Sequence, residues 1–141
     1  MEVAKTLLGA LEKRGSIVTY TTYEEGIIRG LAEAFPQYSD QLLATLGRIK
    51  DLHAIIRRNY YHPGFHGSFS LKSVLPALLP EMDYGNLEVQ EGQQAGLEYL
   101  RMINNSTPSH EKEKIRKALL TYCGHDTLAM LKIREELFNR F

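Results

Sequence analysis

Two short segments that we interpret as strands constrain the fold of this chain most. The first, "SIVTY" at 16–20, is rich in β-branched and aromatic residues, and the second is "RIKDL" at 48–52. The segments between them, 24–35 and 39–47, have helical periodicity. A strand–helix–helix–strand order predicts two parallel strands joined by a right-handed crossover. Because two strands alone form a weak sheet, the pattern also indicates that further strands belong to it.

Most of the remaining chain has apolar residues at every third or fourth position, which is typical of helices. The predicted helices are 2–14, 52–61, 71–79, 93–103 and a last helix or helix pair from about His110 to the end. Ser39 and Ser70 are the expected N-caps of the helices that follow them. We therefore expect a single α/β domain of residues 1–141 that is mostly helical, with two short parallel strands.

Cysteine content, hydropathy and net charge narrow the class of protein further. The single cysteine, Cys123, allows no intrachain disulfide, and the N-terminus has no signal-peptide pattern, so we expect a reducing, cytoplasmic setting. No apolar run is long enough to cross a membrane. The formal net charge of zero excludes a global attraction to nucleic acid.

The charge is nevertheless uneven along the chain. Residues 48–72 contain five basic residues and one acidic residue, whereas residues 73–100 contain five acidic residues and no Lys or Arg. A local basic patch of this kind could contact phosphate. The alternative is that two solvated faces simply differ in sign.

The last predicted helix has a carboxylate in the middle of its apolar stripe. Seven residues share that face, and all except Asp126 are apolar or aromatic: Ile115, Leu119, Tyr122, Asp126, Met130, Ile133 and Leu137. One interpretation is that the helix breaks at Gly124 and the face rotates. The other is that Asp126 binds Mg²⁺ or Mn²⁺, which prefer carboxylate oxygens, with Tyr122 one turn earlier orienting an attacking water.

Two further places could take part in such chemistry. Glu24 follows the first strand, where α/β sheets usually position their sites, and it is a candidate second metal ligand. Its alternative role is to complement the dipole at a helix N-terminus. Ser70 and Lys72 form a candidate phosphate-binding site at the start of a helix, and their alternative is an ordinary N-cap beside a solvated lysine.

Zinc and cysteine chemistry are poorly supported by the sequence. His62 and His66 have the spacing of a zinc helix, but Pro63 and Gly64 break any helix between them and no third ligand is obvious. Cys123 lies within a predicted helix, where a cysteine is usually buried and inert. We therefore expect neither a structural zinc site nor a cysteine nucleophile.

Three segments together resemble a known family. They are "IVTYTTYEEGIIRGLA" (17–32), "RIKDLHAIIRRNYYHPGFHGSFSLKSVLPALLP" (48–80) and "LLTYCGHDTLAML" (119–131). They resemble the C-terminal two thirds of a bacterial family of unknown function that is usually placed among the DEDD 3′–5′ exonucleases, whose fold is ribonuclease H-like. The resemblance implies a partial ribonuclease H-like domain.

The motifs of that class are only partly present. The third motif, Tyr-x-x-x-Asp, matches Tyr122 and Asp126. The second motif corresponds to Tyr20, Tyr23 and Glu24, with Tyr20 in place of the usual Asn and Glu24 where Asp is commoner. The first motif, Asp-x-Glu, occurs nowhere in the 141 residues, and we expect the region that holds it to precede Met1.

The resemblance implies two-metal hydrolysis of nucleic-acid phosphodiesters in the intact protein, with Mg²⁺ or Mn²⁺ as cofactor. Glu24 and Asp126 would be ligands, Tyr122 would orient water, and Lys72 and Ser70 would contact phosphate. This chain supplies only two carboxylates, so the alternative is a non-catalytic binding or assembly module derived from the nuclease fold. The expected partners are nucleic acid and either a second copy or an upstream fragment that pairs with the open edge of 16–20.

Overall fold

The computed structural model describes residues 2–140, and the chain divides into two compact units, Met1–Tyr61 and His62–Phe141. Each unit has its own buried apolar residues. Among the described residues, no helix is both long enough and apolar enough to span a membrane. The single domain predicted for residues 1–141 stays a prediction.

The first unit alternates helices with two three-residue strands. Its elements are α1 (Glu2–Ala10), β1 (Ile17–Thr19), α2 (Tyr23–Ala34), a 3₁₀ turn (Pro36–Tyr38), α3 (Ser39–Leu46), β2 (Ile49–Asp51) and α4 (Leu52–Asn59). The strands are parallel and pair Ile17 with Ile49, Val18 with Lys50 and Thr19 with Asp51. The predicted α/β class, mostly helical with two short parallel strands, is therefore confirmed.

Helix α1 is shorter than predicted because the chain turns after Ala10. Glu12 and Gly15 both have positive φ, 47° and 90°. The Arg48 guanidinium donates hydrogen bonds of 2.7–2.8 Å to four main-chain carbonyls in this turn, those of Leu11, Glu12, Arg14 and Gly15. These carbonyls lie outside any helix or strand and need partners, so Arg48 links the turn after α1 to the start of β2.

The core of the first unit lies where α1, α2 and α3 meet. Its buried residues are Ala4, Ile28, Ala32 and Leu42. Partly buried side chains pack around them: Leu7, Leu8, Leu31, Phe35, Tyr38, Leu46 and Ile49. The prediction that Ser39 is the N-cap of α3 is wrong. The 3₁₀ turn runs directly into the helix, and Tyr38 occupies the N-cap position.

The second unit is helical throughout its regular elements. It contains a 3₁₀ turn (Pro63–Phe65), α5 (Leu71–Leu78), α6 (Gly92–Ile103) and α7 (Ser109–Arg140). The Ser70 side chain accepts a hydrogen bond from the Ser73 amide, which confirms it as the N-cap of α5. Buried residues of this unit include Phe65, Val74, Leu75, Leu78, Tyr84, Val89, Ile115, Ala129 and Ile133.

Candidate functional site

Helix α7 carries Tyr122 and Asp126 on one face. The helix is continuous over 32 residues and passes through Gly124 without a break, so the interpretation that the face rotates at Gly124 is wrong. Residues one turn apart on a continuous helix lie side by side. Asp126 is therefore a partly buried carboxylate in the core-facing stripe, and its charge must be met by neighbouring groups.

Tyr84 is the first of these neighbours. Its hydroxyl donates a 2.6 Å hydrogen bond to Oδ1 of Asp126, and its side chain is only 7% exposed. Tyr84 lies in the irregular segment between α5 and α6, forty-two residues before Asp126 in the chain. Sequence reasoning missed it, because no local pattern links a tyrosine in a loop to a distant carboxylate.

Tyr122 is the second neighbour of Asp126. Burial, the charge of Asp126 and a hydrogen bond to Asp126 together raise the pKa of the Tyr122 phenol to about 12. The phenol is therefore neutral at physiological pH and acts as a donor to the carboxylate. The Tyr84 and Tyr122 rings lie 6.4 Å apart between centroids, so two phenols surround one carboxylate.

Two charged side chains, Lys72 and Glu91, lie beside the two phenols. The Lys72 ammonium lies 5.8 Å from the Tyr84 ring centroid, at the outer range of a cation–π contact. It also lies 3.4 Å from a carboxylate oxygen of Glu91. Because both partners are substantially exposed, this ion pair is weak and Lys72 can exchange it for another anion. We call the set Lys72, Tyr84, Glu91, Tyr122 and Asp126 the tyrosine–aspartate site.

His125 borders the tyrosine–aspartate site. Its ring meets the Tyr84 ring edge to face, with centroids 4.7 Å apart. Its Nε2 atom is buried and has no hydrogen-bond partner among the described residues. Sequence reasoning missed His125, because nothing in the spacing indicated a contact with Tyr84.

Ser70 is occupied by helix capping. Its oxygen accepts from the Ser73 amide at 3.3 Å and lies 2.9 Å from the Ser73 hydroxyl. Ser68 also lies within hydrogen-bonding distance of Ser70. The ordinary N-cap interpretation explains these contacts, and the phosphate-binding role of Ser70 and Lys72 stays a prediction.

Glu24 lies in the first unit, in the first turn of α2. Its Oε2 atom is buried and has no hydrogen-bond partner among the described residues. The first turn of a helix favours a negative charge, which fits the electrostatic interpretation, while the unpaired oxygen is what a cation ligand would offer. Its role as a ligand stays a prediction.

Asp51 organises the carboxyl ends of the two strands in the first unit. Its Oδ1 accepts hydrogen bonds from the amides of Thr21, at 3.0 Å, and Ala54, at 3.2 Å. Burial and the charge of Asp51 raise the pKa of Tyr20, and the Tyr20 ring meets His53 edge to face at 5.6 Å. Sequence reasoning missed Asp51, although its place immediately before a predicted helix is a capping signal.

The metal-binding side chains among the described residues do not converge on a common point. Within residues 2–140, no group of three or more His, Cys, Asp or Glu side chains is arranged to hold a metal ion. His62 is already engaged, since its Nδ1 accepts from the Gly64 amide. Cys123 is exposed rather than buried as expected. Partial desolvation of its thiol and the nearby charge of Asp126 raise the pKa of that thiol, which favours the protonated form.

The fold and this site define a mostly helical α/β protein with a phenol-bound carboxylate on its last helix. Residues 1–70 are similar to a family described as a domain of unknown function, DUF2779. No curated protein and no solved structure matches the chain. The similarity covers the first two strands and Glu24, whereas Tyr122 and Asp126 lie outside it.

Proposed function

We propose that this chain carries part of a nuclease-type domain, and that it hydrolyses nucleic-acid phosphodiesters only when other polypeptide supplies further carboxylates. The observation that carries the proposal is the pair Tyr122 and Asp126, one turn apart on the continuous helix α7. That pair is the third motif of the exonuclease class that the chain resembles. The ribonuclease H-like fold belongs to the same proposal, and the parallel strands β1 and β2 support it.

The described residues do not by themselves fit two divalent cations. Two-metal hydrolysis needs several carboxylates around a pair of ions about 3.5–4 Å apart. Oδ1 of Asp126 is already bonded to Tyr84, and the part of the chain described here contains no three-ligand group. The proposal therefore assigns ligand roles to Asp126 and to Glu24, each within its own unit, and requires the remaining ligands to come from elsewhere.

The residues of the tyrosine–aspartate site have roles that do not depend on metal. Tyr122 stays protonated, since its pKa is raised to about 12, and it could exchange its hydrogen bond to Asp126 for one to a water or a phosphate oxygen. Lys72 can leave Glu91 for a phosphate because their ion pair is exposed. These two groups would position a phosphodiester near Asp126.

A second candidate is a non-catalytic binding or assembly module derived from the same fold. The specific observation in its favour is the 2.6 Å bond from Tyr84 to Asp126, which meets the charge of the carboxylate without any metal. On this proposal the tyrosine–aspartate site is structural, and the chain works through its surfaces.

The outer edge of β1 is one such surface. The Ile17 amide donates to the Arg48 carbonyl, so its neighbour Val18 directs its amide to the opposite edge, because successive residues of a strand alternate. We propose that this edge accepts a strand from another segment or chain. Val18→Pro removes the outward donor but no bond to β2, and should weaken such pairing.

The test of the proposed function is a cleavage assay on labelled single-stranded DNA and RNA with Mg²⁺ or Mn²⁺. The chain alone should give no cleavage above background. The chain joined to a segment that supplies Asp-x-Glu should cleave, and Asp126→Ala should then abolish cleavage. Persistent cleavage in the Asp126→Ala protein would contradict the assigned role, and no cleavage in any combination would favour the binding module.

A further inference from the structure

Helix α4 has two arginines on its solvent side. Arg57 and Arg58 are both exposed, whereas Leu52 and Ile56 are buried on the other side of the helix. Ala54 lies one turn before both arginines, so their side chains leave the helix on either side of it, about 100° apart. The two guanidinium groups therefore border one exposed strip of the helix.

These arginines have no acidic neighbours. Within residues 2–140, neither guanidinium forms an ion pair. No Asp or Glu occurs from residue 52 to residue 80, and Asp51 is the N-cap at the opposite end of α4. One cation in the last turn complements the helix dipole, but two adjacent cations without a carboxylate repel each other. An external anion bound between Arg57 and Arg58 would relieve that repulsion.

An exposed tyrosine follows the two arginines. Tyr61 is 60% exposed and lies two residues beyond the end of α4, after Tyr60, whose backbone is extended. Its Cα atom is no more than about 11 Å from that of Arg58, because only three residues separate them. An exposed ring is a face on which any nucleobase can stack, and a guanidinium matches the oxygens of a phosphate. We call Arg57, Arg58 and Tyr61 the α4 basic surface.

We propose that the α4 basic surface binds single-stranded nucleic acid, with phosphates at the two arginines and a base stacked on Tyr61. The inference rests on the proposed function for the class of partner, and it adds the place where the strand docks. A lipid surface fits less well, because Ile55 is the one large apolar residue of α4 that is exposed, at 47%. An acidic peptide would pair with the arginines but would bring no nucleobase to Tyr61.

Fluorescence anisotropy tests the proposal without requiring cleavage. The full chain is titrated into a labelled oligothymidylate of about 15 nucleotides in the presence of EDTA. We expect a Kd on the order of 10–100 µM at low salt. Arg57→Ala and Arg58→Ala should each weaken binding roughly five- to tenfold at about 50 mM salt. Each should also reduce the slope of log K against log[salt] by about 0.7, because one phosphate contact is lost.

Arg29→Ala is the matched control. Arg29 is also an exposed arginine on a helix, but Glu25 and Glu33 lie one turn away from it on either side. A polyanion gains little at such a position, so Arg29→Ala should not change binding. Tyr61→Ala should weaken binding about fivefold or more, whereas Tyr61→Phe keeps the ring and should bind as the unchanged chain does. Circular dichroism checks that each variant keeps its helices.

Equal losses of affinity in Arg29→Ala and Arg58→Ala would overturn the proposal, because the attraction would then not be specific to α4. So would the absence of binding at low salt. Displacement of the oligonucleotide by polyglutamate at the same concentration of charge would assign the surface to acidic peptides instead. Binding without cleavage in any combination would refute the nuclease assignment alone, and cleavage that is unchanged in Arg57→Ala and Arg58→Ala would refute the α4 basic surface alone.

Discussion

The hydroxyl of Tyr84 donates a 2.6 Å hydrogen bond to Oδ1 of Asp126, and this bond joins an irregular segment to the longest helix of the chain. Tyr84→Phe removes the donor and leaves a partly buried carboxylate with one hydrogen bond fewer. We expect the free energy of unfolding to fall by about 1–3 kcal/mol, because the lost partner served a charged acceptor. Urea unfolding followed by circular dichroism measures the change.

Tyr23→Phe is the matched control for that experiment. Tyr23 is 71% exposed at the start of α2, so the loss of its hydroxyl should change the free energy of unfolding by no more than about 0.5 kcal/mol. Equal effects of the two substitutions would show that the bond between Tyr84 and Asp126 does not stabilise the second unit.

Stability should fall at alkaline pH through Tyr122. Its pKa is raised to about 12 in the folded chain from the usual 10.0, so the unfolded chain loses this proton first. The stabilisation is fully present below the unfolded pKa and is lost as the pH rises from about 10 towards 12. Tyr122→Phe should reduce the slope of unfolding free energy against pH in that window, as measured by urea unfolding at a series of alkaline pH values.

Arg48 should be a structural residue rather than a phosphate contact. Its guanidinium donates to four carbonyls in the turn that follows α1. Arg48→Ala should lower the free energy of unfolding of the first unit by roughly 2–3 kcal/mol, and Arg48→Lys should rescue little, because a lysine cannot present the same planar set of donors. Arg58→Ala, at an exposed position of α4, is the control and should be nearly neutral.

Two glycines should respond in opposite directions to alanine. A side chain at Gly64 would lie 3.0 Å from Cβ of Ala77 and 3.0 Å from Nδ1 of His62, so Gly64→Ala should cost about 1–3 kcal/mol. Nothing lies within 4 Å of the corresponding position at Gly124, so Gly124→Ala should stabilise α7 by up to about 1 kcal/mol. Thermal unfolding measures both changes, and a higher Tm for Gly64→Ala would contradict the packing.

Local patterns were sufficient to predict most elements of the fold. The β-branched residues of 16–20 and the short segment 48–52 correctly predicted two parallel strands. Ser70 was correctly predicted as an N-cap, because the amide that it caps lies only three residues further along the chain. The end of α1 was placed too late because a residue of the distant β2 region, Arg48, satisfies the carbonyls of the turn. A hydrogen bond to a residue so far away in the chain cannot be predicted from the apolar periodicity of the helix itself.

The candidate site could be predicted only in part for the same reason. Asp126 and Tyr122 were predicted because both lie on the apolar face of one helix, where Asp126 is the one charged residue. Tyr84 and Asp51 were missed, since each acts through a partner that the sequence does not place beside it. The ligand roles of Glu24 and Asp126 rest on the resemblance and stay predictions.

Calorimetric titration of the chain with Mn²⁺ tests whether Asp126 belongs to an incomplete metal site beside two phenols. We expect binding on the order of millimolar or weaker, because too few oxygens converge on one ion. Asp126→Asn should remove this binding, while Tyr84→Phe, which frees Oδ1, should not weaken it. Micromolar binding that survives Asp126→Asn would contradict the role of Asp126 as a ligand.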